Sequence, residues 1–122
     1  MHELAITEEI VSIVSDEAKK AGAKRVSRVK VHVGVRTGFH PEIIQHYYEI
    51  LKAGNELLEG STLEASEIPT TLTCKDCKNV TTQNDFVLIC PACGSTNTVA
   101  EGGKDVTIQS LEIEDGHENR GN

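Results

Sequence analysis

Four cysteines and one histidine carry the chemistry that this 122-residue sequence could perform. The cysteines read Cys74-Lys75-Asp76-Cys77 and Cys90-Pro91-Ala92-Cys93-Gly94. A C-x2-C pair makes a tight turn that offers two thiolates to one ion, and two such turns make one four-sulfur site. No cysteine is left over. Four thiolates suit tetrahedral Zn(II), and a closed shell without an open position is structural rather than catalytic. Iron is the competing metal, because four thiolates can also hold a single iron. Two disulfides would need an oxidising compartment.

The histidine is His2, in the opening Met1-His2-Glu3. The free α-amine, the deprotonated backbone nitrogen of His2 and its imidazole can wrap one ion with three nitrogens in a plane. The Glu3 backbone nitrogen, the Glu3 carboxylate or a group elsewhere would be the fourth donor. Planar nitrogen sets suit Ni(II) and Cu(II), and copper binds such a set more tightly. Spacing alone does not separate this reading from a histidine on a solvated terminus.

Composition narrows the classes. A formal net charge of −7 argues against a nucleic-acid binder, which neutralises phosphates with a basic surface. No apolar stretch reaches the length of a membrane span, and no basic segment followed by an apolar one marks a signal peptide. A reducing, cytoplasmic setting follows as the expectation, and there C-x2-C pairs favour metal.

The elements that must position these residues are few. Residues 4–21 repeat apolar positions at helical steps, with Thr7 followed by Glu8 and Glu9 as a helix start and Gly22 as a stop. Val29, Val31, Val33 and Val35 alternate with Lys30, His32 and Gly34, which predicts a half-buried strand. Pro41 opens a second helix, with Ile44, Tyr47, Tyr48 and Leu51 inward. Thr62 to Ile68 reads as a second strand and Asp105 to Ile113 as a third. On the third, Val106 and Ile108 fall on one parity, Leu111 and Ile113 on the other. A bulge near Gln109-Ser110 would bring both pairs to the core. The fold class is α+β: two helices packed on a small three-stranded sheet, with an inserted zinc-ribbon-like domain. Residues 1-68 plus 104-114 form the nickel-binding α+β domain, 69-103 the zinc-binding insertion and 115-122 a flexible tail. The insertion is too short and polar to hold a core without its metal.

Together these residues resemble the HypA/HybF family of hydrogenase nickel-incorporation proteins. The resemblance runs through Met1-His2-Glu3-Leu4, Pro41-Glu42, the strand from Leu63 to Pro69, both cysteine knuckles with Cys-Pro-Ala-Cys-Gly-Ser, and the strand from Ile108 to Glu114. It implies a metallochaperone that delivers nickel for [NiFe]-hydrogenase maturation and, in some members, urease. It implies nickel at His2, to which the reading of the amino terminus adds Met1 and Glu3, and structural zinc at Cys74, Cys77, Cys90 and Cys93. The implied partners are a nickel-delivery GTPase and the hydrogenase large-subunit precursor, with the chain a monomer or weak homodimer and not an enzyme. His40 stands where many members carry an acidic helix cap, and Val33-Gly34-Val35-Arg36-Thr37 departs from the usual Gly-Glu-Leu wording. The alternatives are a zinc-ribbon adaptor and a rubredoxin-like electron carrier.

Overall fold

The computed structural model describes residues 2–85 and 87–115. Its elements follow the order α1 (Glu3–Lys20), β1 (Ala23–Gly34), a 3-10 turn (Val35–Thr37), α2 (Pro41–Leu51), β2 (Thr62–Ile68), β3 (Thr70–Cys74), β4 (Val80–Gln83), β5 (Thr98–Glu101) and β6 (Val106–Asp115). The strands form two three-stranded sheets, ordered β2-β1-β6 and β4-β3-β5.

Helix α1 buries Glu3, Thr7, Ile10, Val14 and Ala18, a stripe at steps of four and three. Its start corrects the sequence reading, because Thr7 lies inside the helix. The Thr7 hydroxyl donates to the Glu3 carbonyl at 2.5 Å, and the acid in the first turn is Glu3. Two polar residues head the buried stripe, so apolar spacing alone places the start too late. The far end is as expected: Lys19 and Lys20 occupy the last turn, and Gly22 takes φ 71°, a left-handed value that suits glycine.

Helix α2 has Pro41 in its first turn, where the missing amide hydrogen costs nothing. It buries Ile44 and Tyr48, with Ile43, Tyr47 and Leu51 half-buried. The Tyr48 hydroxyl, inside the core, is paired with the Ser61 hydroxyl at 2.6 Å.

Strand β1 is central. It pairs in parallel with β2 and antiparallel with β6, so α2 is the crossover of a βαβ unit. Val26, Val29, Val31 and Val33 are all buried against the helices. Val35, expected in the strand, belongs to the 3-10 turn instead. On β6 the expected bulge is present: Lys30 pairs Ser110 while Val31 pairs Ile108, which leaves Gln109 as the extra residue. Val106, Ile108 and Leu111 consequently all pack on the core. Ile113 does not follow them and stays 36% exposed.

The opposite face of this sheet is solvated. Arg28 there lies 3.5 Å from Glu64 and 3.9 Å from Glu112, and Arg25 lies 3.3 Å from Glu114. His32 sits half-buried between Ser66 and Thr107 on the neighbouring strands.

The second sheet holds little apolar mass. Leu72 is buried, but Val80, Val87, Leu88, Ile89 and Val99 are all exposed. Pro69 alone separates β2 from β3, and residues 102–105 separate β5 from β6. These two connections are packed on the turn after β1. The Arg36 amide donates to the Gly103 carbonyl at 2.7 Å, and its guanidinium to the Ala100 and Gly102 carbonyls, each at 3.4 Å. A Cβ on Gly34 would stand 2.2 Å from the Gly103 backbone, so this position admits only glycine.

Candidate metal centre

The two cysteine turns are built alike. In the first, the Cys74 amide donates to the Asn79 carbonyl at 2.9 Å and the Lys78 amide to the Cys74 carbonyl at 3.0 Å. In the second, the Cys90 amide donates to Ser95 at 2.9 Å and the Gly94 amide to Cys90 at 2.8 Å. Each turn ends on a left-handed residue: Gly94 at φ 77° and Lys78 at φ 67°, the one positive-φ non-glycine among the described residues. Lys78 thus occupies a seat that favours glycine.

These turns face one another. Cys74 Sγ lies 3.6 Å from Cys93 Sγ, and Cys77 Sγ 3.6 Å from Cys90 Sγ. All four sulfurs fall within 4.8 Å of one another. A Zn–S bond of about 2.3 Å in a tetrahedron sets sulfurs about 3.8 Å apart, so the cluster fits zinc. A disulfide requires about 2.05 Å, and the four cysteines are free. Cys74 and Cys90 are buried, while Cys77 and Cys93 are exposed.

The protonation of the thiols points the same way. The Cys93 amide holds the Cys90 thiol down, to about 7. At Cys93 the Ser95 amide acts in the same direction, but the neighbouring sulfur of Cys74, burial and the other sulfurs push the thiol up to about 12. Like charges this close cannot all form unaided; a divalent cation removes that obstacle, and zinc ligands are thiolates.

A brace that the spacing did not reveal ties the turns together. Asp76 accepts hydrogen bonds from the Ser95 hydroxyl at 2.5 Å and the Asn97 amide at 3.1 Å. Those bonds lower its carboxyl below the ordinary value, the Ser95 bond most. The signal lay in an acid inside the first C-x2-C and a serine after the second, a pairing that only the fold brings together.

The amino-terminal group is arranged differently. Met1 lies outside the described residues. His2 is exposed and sits at the N-cap of α1 with no side-chain cap. Glu3 is only 2% exposed. Its Oε2 accepts the His40 amide at 3.0 Å and lies 3.0 Å from His40 Nδ1. The carboxyl is held down to about 2, first by the chain's amino terminus, then by the His40 side chain and amide, with burial opposing. The structure therefore brings the buried Glu3 carboxylate to His40 as well as to the amino terminus. His40 has no side-chain cap of its own for α2; the acid that meets the start of α2 comes from α1. His46 is exposed on α2 beside Tyr47. His117 and the tail from 116 onward lie outside the described residues.

With this geometry in place, likeness to known proteins is decisive. The family model described as "Hydrogenase/urease nickel incorporation, metallochaperone, hypA" matches residues 1–113. The chain belongs to the HypA family. A hydrogenase maturation factor HypA from Caldanaerobacter subterraneus is 34% identical over 93% of this chain and 100% of its own length. The HypA of Lawsonia intracellularis is 35% identical over 93% and 100%. The solution structure of the nickel metallochaperone HypA from Helicobacter pylori matches with a TM-score of 0.65 and 25% identity, over 94% of this chain and 99% of that one. The likeness to that structure extends over the α+β body and over the part that holds the four-cysteine cluster.

Proposed function

We propose that this chain captures Ni(II) at Met1-His2-Glu3 and delivers it for maturation of [NiFe]-hydrogenase, or urease. The observation that carries the reading is the start of α1. The helix begins at Glu3, and its first internal bond runs from the Ile6 amide to the His2 carbonyl at 3.2 Å. The His2 amide precedes that bond, so it carries no rung of the helix. A metal can take the His2 nitrogen without breaking a rung of the helix. The exposed His2 imidazole and the α-amine complete a planar set. The fourth donor is a Glu3 atom, its backbone nitrogen or the carboxylate that also meets His40, or a group elsewhere.

Zinc at Cys74, Cys77, Cys90 and Cys93 supplies cohesion, not transfer, because a closed shell offers no site to a passing ion. We read the chain as a carrier rather than an enzyme. Its partners are a nickel-delivery GTPase, which competes for the planar ligands, and the hydrogenase large-subunit precursor. The location is the cytoplasm. No described helix is long and apolar enough to cross a membrane.

Calorimetric titration of untagged wild type against His2→Ala tests the assignment. His2→Ala lowers nickel affinity by at least about tenfold, and an amino-terminal tag has the same effect by removing the free amine. Affinity falls as pH drops, because every ligand must lose a proton to bind. Equal stoichiometry and affinity in wild type and mutant would sink the proposal.

A further inference from the structure

The four cysteines are unequally reachable from solvent. Cys77 and Cys93 are exposed, whereas Cys74 and Cys90 are buried. Each exposed one has a buried sulfur 3.6 Å away on the opposite turn: Cys93 beside Cys74, and Cys77 beside Cys90. The two turns are also joined without any metal. Asp76 accepts from the Ser95 hydroxyl and the Asn97 side-chain amide, and the Lys75 amide donates to the Asn97 carbonyl at 2.9 Å. All these bonds run from inside the first turn to residues at or just beyond the end of the second.

We propose that the cysteine centre is a reversible peroxide-responsive clasp: hydrogen peroxide converts it to two cross-turn disulfides, Cys74–Cys93 and Cys77–Cys90, releasing zinc without unfolding the segment. The inference rests on the zinc assignment above. An exposed thiolate attacks a peroxide oxygen; the O–O bond breaks, giving a sulfenic acid and hydroxide. The buried thiolate across the turn then attacks that sulfur, the S–S bond forms and hydroxide leaves. With the second pair, four thiolates give up four electrons, two peroxide molecules become four hydroxides, and the Zn(II) they held is freed. A resolving sulfur at this range diverts the sulfenic acid from the irreversible sulfinic state. Burial confines Cys74 and Cys90 to that resolving part. The Asp76 brace keeps the turns facing one another as the metal leaves, which favours closure across the turns over closure of each C-x2-C pair on itself. Cross-turn bridges then tie the same two turns that zinc tied. Bridges within each turn would leave the turns untied.

The test uses the full zinc-loaded chain, with its metal content measured first. Two equivalents of hydrogen peroxide release the zinc to a chromogenic chelator, and a dithiol with added zinc restores it. Trypsin cuts after Lys75 and Lys78, which puts Cys74, Cys77 and the Cys90/Cys93 pair on three separate peptides. Cross-turn bridges join all three in one species, and fragmentation between Cys90 and Cys93 assigns Cys74 to Cys93. Bridges within the turns join only the first two peptides. In the oxidised, zinc-free chain the Leu72 and Thr73 amides exchange at least about tenfold more slowly than after chelation, because the bridges replace the metal tie. Asp76→Ala, which removes the brace, raises the share of within-turn bridges about fivefold. Within-turn bridges in the wild type, sulfinic acid at Cys77 or Cys93, or exchange as fast as after chelation overturns the proposal with the zinc assignment intact. A chain that carries no zinc before oxidation overturns both.

Discussion

Glu3 is a carboxylate placed under the start of two helices, and its surroundings keep it ionised. The amino terminus, the His40 ring and the His40 amide all favour the charged form, and burial opposes them without prevailing. Its pKa is thus lowered from 4.5 to about 2 on folding. A carboxyl lowered in the folded state lends stability that is complete above its unfolded value and disappears as pH falls through its folded value. The window here runs from about 4.5 down to about 2. Glu3→Gln costs roughly 2 kcal/mol at neutral pH, the usual scale for losing hydrogen bonds to a charged group. It also flattens stability across the acid window. Denaturant titrations of both proteins at a series of pH values check this; parallel curves would show that Glu3 plays no part. In sequence Glu3 read only as a metal ligand; nothing local announces its further partner at His40, 37 residues away.

At the level of elements, what was legible depended on whether the information was local. Both helices, β2 and the double cysteine turn follow from spacing, proline and glycine. The bulge at Gln109 was also legible, as a parity break between Ile108 and Leu111. Strand β1 was read too short at its start. Val26 and Val29 are both buried but three residues apart, because Ser27 is an extra residue between the Val26–Ile113 and Arg28–Glu112 pairs. A period-two search fails across such a step. The sheet around the cysteines was not legible at all, since Thr-rich strands with one buried leucine carry no apolar alternation. The cysteine turn also holds a local conflict, Lys78 at φ 67°. The left-handed region costs a non-glycine residue about 1 kcal/mol. Lys78→Gly relieves that strain, offset in part by the entropy glycine loses. We expect a gain of about 0.5 kcal/mol, read as slower zinc loss to a competing chelator. Faster loss would mean that the Lys78 ammonium, 3.0 Å from the Lys75 carbonyl, holds the turn more than its backbone strains it.

In the molecule as a whole, cohesion comes from two different sources. The body formed by α1, α2 and the β2-β1-β6 sheet has an apolar core from Ile10 through Leu63. The part between β2 and β6 buries Leu72 and two cysteines and leaves Val80, Val87, Leu88, Ile89 and Val99 exposed. Its free energy of folding must come largely from the metal, as in other small thiolate-bound units. We therefore divide the chain at 69–103. Removing zinc with a chelator, or substituting Cys90→Ser, unfolds that segment while the body persists. The two attachments decide whether this separation holds. Arg36 gives the segment three hydrogen bonds, two long ones at 3.4 Å from its guanidinium and one at 2.7 Å from its amide to Gly103, each worth about 1 kcal/mol. Gly34 packs directly on Gly103, the last residue of the segment. Loss of the segment forfeits the Arg36 bonds but none of the pairing of Val29, Val31 and Val33 with β2 and β6. Amide exchange after zinc removal should thus show rapid exchange at Leu72 and Thr73 and continued protection at Val29 and Val31. Simultaneous loss of both sets would mean that the Gly34–Gly103 contact transmits unfolding into the central strand, and that the metal holds the whole chain rather than one part.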